Sequence, residues 1–455
     1  MKKLDYTKAP LIKSLVVLSI PIILANIMQT LYGLIDTFWV GRLGASAVAA
    51  VSLSFPVLFL VLALGLGMSI AGTILVAQYK GKKDNKNVNL VSGQTFLMMI
   101  VSAVILSIIG WFVAKPILVL LGAAPDVLPE AVSYLRIMFF GMFLLFVYFV
   151  FQALMRGVGE VITPMIIVAG TVVLNLILDP IFILGWGPIP SYGVSGAAIV
   201  TIISQGLAAV VGMSLLLSGR YDIHLKLADF KPNFTLIKKM IRLGLPMSVE
   251  EVFRALAMFF LFYLVARFGT DTVAAFGVGI RILSFVIIPA AGLAMATTTI
   301  VGQSIGAKKI DRAEKITWKS SGIGFLIMTA VSVFTFFIAE PVSAFFVPGE
   351  TEVIQQSTEF LKILSLAFGF ITVQHVLLGT IKGAGETFAA MLLNMFSKAF
   401  LLIPVAWFLS MNTELGEAGI WWAYPVTYFI ATILAVAWFL RGSWKKKNIT
   451  EGSHP

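Results

Sequence analysis

Long apolar segments recur from one end of this chain to the other, and each is long enough to cross a membrane. A helix rises about 1.5 Å per residue, so about 20 apolar residues cover the roughly 30 Å of hydrocarbon in a bilayer. The mean hydropathy is +0.98, and only 12% of the 455 residues are charged, about half the share that soluble domains carry. The sequence therefore predicts an all-α integral membrane protein.

The apolar periodicity predicts twelve transmembrane helices. They fall at residues 15–40, 46–79, 88–114, 130–154, 162–184, 192–217, 236–267, 271–305, 316–340, 355–381, 387–410 and 416–441. Lys and Arg concentrate at both termini and in every second loop, so the positive-inside rule predicts cytoplasmic termini and a multi-pass protein of the cell membrane. The net charge of +11 lies in these short connections, so we expect membrane lipids, and no nucleic acid, as partners.

The two halves of the sequence are related by a repeat. An offset of 225 residues aligns Pro21 with Pro246 and Arg42 with Arg267, and offsets of 226 and 223 align later segments of the two halves. This repeat predicts two six-helix bundles related by a pseudo-two-fold axis, an architecture typical of transporters that expose a central site alternately to the two sides. We predict bundles at 1–217 and 236–455, joined by a cytoplasmic linker at 218–235, in a monomer.

The first predicted helix carries a carboxylate inside its apolar run. Gln29, Tyr32 and Asp36 are spaced i, i+3 and i+7, so they share one stripe of the helix. An ionisable side chain at membrane depth is costly and is by default a functional-site hypothesis. The structural alternative is a hydrogen-bonded acid that holds helices together.

A second carboxylate is predicted at a similar depth in the fifth helix. Asn175 lies one turn from Asp179 on the same face, and Thr201 in the sixth helix is expected about as deep. Two buried carboxylates that share a site cannot both remain ionised without cost, so the pair is expected to take up H⁺, or Na⁺ with oxygens from Asn, Tyr and Thr. We therefore predict an ion-coupling site, with H⁺ favoured and Na⁺ possible at Asp36, Asp179, Asn175, Tyr32 and Thr201.

The repeat places this chemistry in the first half. The positions equivalent to Asp36 and Asp179 are Leu261 and Val405. The scaffold is thus repeated while the acids are not.

Several motifs resemble those of the multidrug and toxic compound extrusion (MATE) transporters, most closely the prokaryotic DinF-like branch. They are P-x14-D-T-x-x-V-G-R-L-G at 21–44, V-A-Q-x-x-G at 76–81, R-G-x-G at 156–159, N-x-x-x-D-P at 175–180 and G-x-x-G-A-A at 193–198. The resemblance implies a MATE-like fold and an antiporter that exports organic cations in exchange for H⁺ or Na⁺. It implies coupling roles for the acids and Asn175, and adds Tyr134 and Gln152 to a substrate cavity with Gln29, Tyr32 and Thr201.

Other charges inside the predicted helices admit two interpretations each. Glu250 and Glu251 lie four and three residues before Arg254, so an ion pair within the helix is expected in preference to a second ion site. Arg281 and Lys398 each need an oppositely charged partner or an aqueous cavity. Two interpretations are open: the residues tune the electrostatic potential of the cavity, or they form structural ion pairs.

Three other functions can be compared with antiport. A flippase for lipid-linked precursors needs a cationic cavity, for which Arg136, Arg281 and Lys398 are the deep candidates. A membrane-embedded enzyme finds no support in metalloprotease, metal-cluster or phosphate-binding motifs, so we predict no catalytic residue and no cofactor. A channel is disfavoured because the repeat suits alternating access.

Overall fold

The computed structural model describes residues 4–447 and 449–450 of the chain, and nearly all of them are helical. The helices are α1 Leu11–Gly41, α2 Ala45–Gly81, α3 Asn85–Leu120, α4 Leu128–Val158, α5 Ile162–Leu184, α6 Val194–Leu217, α7 Phe234–Val265, α8 Thr270–Gly306, α9 Ile310–Phe346, α10 Thr351–Ser365, α11 Phe368–Gly383, α12 Thr387–Met395, α13 Ile403–Met411 and α14 Ala418–Arg441. Each of the twelve predicted helices has a helical counterpart. The prediction of an all-α membrane protein is confirmed.

Most of these helices satisfy the length and hydropathy expected of membrane spans. Within the described residues, nine of these helices are long and apolar enough. The continuous span Thr387–Met411, which contains α12 and α13, makes a tenth, and the bent pair of α10 and α11 makes an eleventh. The helix α7 corresponds to the remaining predicted helix; its 32 residues carry six charged side chains, which lower its hydropathy.

Two of the predicted helices depart from a regular α-helix. The helix predicted at 355–381 is broken, so its prediction as one continuous helix was wrong, whereas the helix predicted at 387–410 is one continuous span with an irregular segment inside it. The first bends by 51° between α10 and α11, where Leu366 and Ala367 donate hydrogen bonds to carbonyls three residues back and tighten the chain. The second contains a π-helical segment, Phe396–Leu402, between α12 and α13. Pro404 follows it and has no N–H to donate to the carbonyl of Phe400, so the regular ladder cannot continue through this point.

The chain forms two compact units. The N-terminal unit comprises residues 24–248, and the C-terminal unit comprises the described parts of 1–23 and 249–454. The chain passes from one unit to the other inside α1 and inside α7, two residues after Pro21 and Pro246 respectively. A proline inside a helix removes one backbone hydrogen bond and permits a bend there. The predicted bundles at 1–217 and 236–455 remain a prediction about the sequence repeat.

Packing inside each unit follows the repeat. In the N-terminal unit α4 packs against α2, α3 and α6, and in the C-terminal unit α11 packs against α8, α9 and α14. The hydroxyl of Thr73 donates to the carbonyl of Ala153, and that of Thr298 donates to the carbonyl of Gly379, both at 2.9 Å. These four residues are equivalent in pairs, so the same hydrogen bond between helices is made twice.

Helices α5 and α6 approach each other closely, and this contact positions the candidate site. A Cβ at Gly196 of α6 would lie 2.4 Å from the carbonyl oxygen of Phe182, near the end of α5. In the C-terminal unit a Cβ at the equivalent Gly419 would lie 2.5 Å from the carbonyl oxygen of Leu409. Only glycine allows this approach.

We expect Gly196→Ala to destabilise the protein by about 1–3 kcal/mol, the usual effect of overpacking a filled contact. The added methyl group meets backbone, which cannot rotate away, so α6 must move from α5. Thermal unfolding of the purified protein in detergent measures the change. The matched control is Gly170→Ala in α5, where no atom lies within 4 Å of the new methyl group. Equal losses of stability in both variants would contradict the packing argument.

Candidate functional site

The carboxylates of α1 and α5 meet at one amide group. The Nδ2 of Asn175 donates to Oδ1 of Asp36 at 2.9 Å and to Oδ1 of Asp179 at 3.0 Å. Asn175 and Asp179 are one turn apart on α5 and fully buried, and Asp36 is half-buried on α1. The structure therefore brings together the two acids and the amide that the sequence singles out.

Hydroxyl groups complete the surroundings of this pair. The hydroxyl of Thr201 on α6 donates to Oδ2 of Asp36 at 3.4 Å. Tyr32, one turn before Asp36 on α1, is 4% exposed, and Tyr134 on α4 is 9% exposed. Four helices of the N-terminal unit thus contribute polar side chains.

Several buried oxygens of this group have no hydrogen-bond partner among the described residues. They are Oδ2 of Asp179, Oδ1 of Asn175 and the hydroxyl oxygen of Tyr32. A buried polar atom without a partner costs about 1–3 kcal/mol, and native structures keep few of them. Acceptors left open around two acids are chemically suited to a proton or a small cation.

In the part of the chain that the structure describes, no basic side chain pairs with these acids. Among the described residues, neither Asp36 nor Asp179 forms an ion pair with a Lys, Arg or His side chain. The same part of the chain contains no group of three or more His, Cys, Asp or Glu that could hold a metal ion. A Na⁺ at this site would therefore also need amide and hydroxyl oxygens, which Asn175, Thr201 and Tyr32 could provide.

The local sequence explains why α5 presents its polar groups here. Asn175 and Asp179 are four residues apart, so their side chains lie one above the other on the same face. Pro180 follows inside the helix, and α5 ends at Leu184, before Gly185 with a φ of 86°. The close approach of α6 at Gly196 then brings Thr201 towards the pair.

Other predicted cavity residues lie differently. Gln29 is exposed, and Gln152 on α4 is half-buried. No hydrogen bond in the described part of the chain joins either side chain to the acids. The structure does not bring these two residues to the carboxylate pair.

Sequence reasoning missed two buried hydroxyl groups. Ser204 lies one turn after Thr201 on α6, and Tyr148 lies on α4; both are almost fully buried, and the hydroxyl oxygen of each has no partner. The spacing of Thr201, Ser204 and Gln205, at i, i+3 and i+4, was the signal that could have identified a polar face on α6.

The equivalent region of the C-terminal unit is apolar. Leu261, equivalent to Asp36, and Phe360, equivalent to Tyr134, belong to one hydrophobic cluster, and Val405, equivalent to Asp179, packs against it. Tyr424, equivalent to Thr201, belongs to the same cluster. One unit thus holds polar groups where the other holds a hydrophobic core.

The acidic residues of α7 form two different ion pairs. Glu251 pairs with Arg254, as expected. The expectation of the same partner for Glu250 was wrong: its Oε1 accepts from Lys382 at 2.9 Å and from Asn394 at 2.6 Å. Glu250 is 5% exposed, and a buried carboxylate requires a close cation and hydrogen bonds, which α11 and α12 supply.

The remaining deep basic residues do not gather around one anion site. The Nζ of Lys398 lies 6.0 Å from the centre of the Tyr428 ring, and the guanidinium of Arg136 lies 5.2 Å from the centre of the Trp111 ring. Arg281 is exposed. Two of the three thus lie over aromatic rings, where cation–π attraction holds them.

Comparison with known proteins gives concordant matches over nearly the whole chain. The sequence model of the MatE family matches residues 21–181 and 246–408. A probable multidrug resistance protein of Bacillus subtilis, YoeA, is 30% identical over 447 residues, covering 96% of this chain and 95% of that protein.

Solved structures of transporters are similar to this chain over nearly its whole length. The outward-facing conformation of a multidrug resistance MATE transporter is 27% identical, with a TM-score of 0.92 over 98% of this chain and 99% of that chain. A transporter of the same superfamily from Pyrococcus furiosus, described as having reversed polarity of its binding pocket, is 28% identical, with a TM-score of 0.91 over the same shares.

We expect Asn175→Ala and Asp36→Asn to be coupled by about 1.5–3 kcal/mol in unfolding free energy, the range for hydrogen bonds to charged groups. The amide holds the carboxylate, so once one partner is removed, loss of the other has less effect. Unfolding of the two single variants and the double variant in detergent measures the coupling.

The control pairs Asn175→Ala with Asp126→Asn, which changes an exposed acid in the same half of the chain. These two changes should add to within about 0.5 kcal/mol. Additive effects of the Asn175 and Asp36 substitutions would show that the hydrogen bond carries no net free energy.

Proposed function

The chain belongs to the MatE family, and we propose that it is a secondary antiporter that exports organic cations in exchange for H⁺, or Na⁺, by alternating access. The observation that carries the proposal is the pair of carboxylates that share one amide and have no basic partner among the described residues. The relative from Bacillus subtilis, named as a probable multidrug resistance protein, supports the cargo class.

The electrostatics of the pair favour exchange of one cation for another. Asp36 and Asp179 share a nitrogen, so their charges repel each other in surroundings of low dielectric constant. A proton on one acid, or a cation beside both, removes this repulsion and gives the open oxygens a partner. Cargo and coupling ion then compete for the same negative charge, and this competition is the basis of antiport.

Helix α1 can convert this exchange into movement. Asp36 lies on α1 and is held to α5 and α6 by Asn175 and Thr201. Protonation removes charge from these hydrogen bonds and weakens them. Helix α1 contains Pro21 and belongs to both units. The residues after Pro21 can therefore change their hydrogen bonds while the first turns of α1 keep their contacts.

Aromatic groups near the acids suit an organic cation. Tyr32 and Tyr134 are buried beside the carboxylates, and aromatic faces attract organic cations within about 6 Å. Gln152 and Gln29 are proposed as outer contacts of the cargo. The positions equivalent to the two acids in the C-terminal unit are Leu261 and Val405, so we place ion coupling in the N-terminal unit.

We expect Asp36→Asn and Asp179→Asn each to reduce export of a fluorescent organic cation to the rate of protein-free vesicles. The amide preserves the shape of each acid but can neither bind nor release the proton. Transport by the purified protein in proteoliposomes measures the loss.

The control for these variants is Asp126→Asn, an exposed acid outside the site, which should transport like the wild type. Thermal unfolding confirms that the inactive variants are folded. Wild-type transport with Asn at position 36 would end the coupling proposal. Normal ion dependence with Asn at position 179 would restrict the coupling site to α1.

We expect a pH gradient alone to drive export, and a Na⁺ gradient alone not to, because few oxygen ligands accompany the two acids. The same proteoliposomes, with one gradient imposed at a time, make the comparison. Transport under the Na⁺ gradient alone would assign Na⁺ as the coupling ion. Movement of an anionic lipid-linked cargo, with no response of the cation to either gradient, would favour the flippase.

A further inference from the structure

The segments that follow α6 and α14 each fold back over their own unit. Gly219 comes two residues after the end of α6, with a φ of 71°, and Gly442 directly follows α14, with a φ of 73°. An offset of 223 residues aligns these two glycines, and a left-handed residue of this kind turns the chain where a helix ends. We name residues 219–233 the first strap and the described residues of 442–450 the second strap.

The first strap is bound to two neighbouring helices of the N-terminal unit. The backbone N–H of His224 donates to Oδ1 of Asn89 on α3 at 2.9 Å. The Nζ of Lys80, in the last turn of α2, lies 3.2 Å from Oδ2 of Asp222. The strap therefore joins the end of α2 to the beginning of α3.

A buried glutamine of α3 holds the later part of the first strap. The side chain of Gln94 is fully buried, and its Nε2 donates to the carbonyls of Asp229 and Lys231 at 2.7 and 2.8 Å. Its Oε1 accepts from the backbone N–H of Asn233 at 2.9 Å. A Cβ at Gly93 would lie 2.4 Å from the carbonyl oxygen of Asp229, so the strap lies directly against the helix. One side chain thus satisfies three backbone groups of the strap.

The second strap is bound to the C-terminal unit at the equivalent position of α9. The Nζ of Lys445 donates to Oε2 of Glu314 at 2.7 Å, and Glu314 is equivalent to Asn89. The side chain of Trp444 is fully buried and stacks on Phe439 of α14, with 5.0 Å between the ring centres. Its Nε1 donates to the carbonyl of Phe439 at 2.9 Å. Apolar burial and hydrogen bonds therefore hold this strap.

One acid of the repeat is in contact with each strap. Glu160 and Glu386 are equivalent, and the carboxylate of Glu386 accepts from the hydroxyl of Ser443 in the second strap at 3.0 Å. The carboxylate of Glu160 accepts from the backbone N–H of Thr163 at 3.1 Å, and the hydroxyl of Thr163 donates to that of Tyr221 in the first strap at 3.1 Å. The contact is direct in one unit and passes through a threonine in the other.

The two straps share the positions that they bind, although their sequences differ. The repeat places Asn89 with Glu314 and Glu160 with Glu386, and each of these positions holds a strap through a different side chain. Binding of the strap is therefore the feature that the two units have in common. The helix ends that a strap joins cannot separate unless its hydrogen bonds break.

We propose that each strap stays bound throughout the transport cycle and holds together the predicted cytoplasmic ends of helices in its own unit. The first strap joins α2, α3 and α5, and the second joins α9, α14 and the connection between α11 and α12. Transport then takes place without separating these ends. Binding of the straps does not depend on a coupling ion, whereas their persistence during transport rests on the proposed alternating access.

Hydrogen exchange of the purified protein in detergent tests whether the straps are bound. We expect Gln94→Leu to accelerate exchange of the first strap's amides about tenfold, because three hydrogen bonds are lost while the side-chain volume is kept. Trp444→Ala should accelerate exchange in the second strap. Each variant should leave the other strap unchanged and is therefore the control for the other. Unchanged exchange in the strap that a substitution addresses would overturn the proposal.

Reversible cross-linking tests whether the straps stay bound during transport. The chain contains no cysteine, so introduced pairs react alone. Asn89→Cys/His224→Cys and Glu314→Cys/Lys445→Cys each place one cysteine on a helix and one on its strap. A short bifunctional thiol reagent that contains a disulfide joins each pair in proteoliposomes. We expect cross-linked protein to export a fluorescent organic cation at the same rate as after reduction.

Loss of export on cross-linking, with recovery after reduction, would show that a strap must open and would overturn the proposal. The single-cysteine variants, treated with the same reagent, are the matched controls for attachment of the reagent alone. The exchange measurement needs neither cargo nor an ion gradient. Its result for the straps is therefore distinguishable from a failure of the proposed antiport, which would appear as absence of export by the wild type.

Discussion

The bridging amide of Asn175 is the interaction on which the candidate site depends. One nitrogen donates to carboxylates from two different helices, so the position of α1 relative to α5 follows from a single side chain. In water such bonds would compete with solvent, but within a membrane an amide facing two acids has no better partner. The same arrangement leaves acceptors open, because a neutral amide can hold two acids in position but cannot cancel their charge. The hydrogen bonds that join the helices and the proposed binding of a cation therefore involve the same three residues.

The repeated scaffold provides the rigid surroundings that this site needs. Thr73 and Thr298 make the same hydrogen bond in the two units, and Gly196 and Gly419 permit the same close approach of helices. These contacts involve backbone atoms, so they tolerate wide changes in the side chains around them. The scaffold could thus be kept while one unit acquired polar residues and the other an apolar cluster. The proposed function depends on a departure from the repeat, as Asp36 illustrates.

Sequence reasoning recovered the helices and the central residues of the site for a physical reason. Long apolar segments directly indicate the helices that lie in lipid. An acid such as Asp36 is rare in such a segment, so it is easily recognised. The break at Leu366 and the π-helical segment before Pro404 were missed because hydropathy is continuous across both. Ser204 was missed because hydroxyls commonly bond to their own helix and carry little signal. Gln29 lies on the same face of α1 as Asp36. Helical spacing shows that the two residues share a face, but it does not show where along the helix this face becomes exposed. The pairing of Glu250 with Lys382 joins residues far apart in sequence, which local spacing cannot predict.

The apolar cluster around Leu261 and Phe360 also limits the energy available to the proposed transport cycle. With one carboxylate pair in the N-terminal unit and hydrophobic residues at the equivalent positions, each cycle draws on the charge exchanged at one place. Exchange of one proton for one monovalent organic cation moves no net charge, so the pH gradient alone drives it. A tenfold difference in proton concentration is worth about 1.4 kcal/mol and sustains a cargo gradient of about tenfold. A second acid pair in the C-terminal unit would raise this ceiling, but it would have to replace the packing of a hydrophobic core.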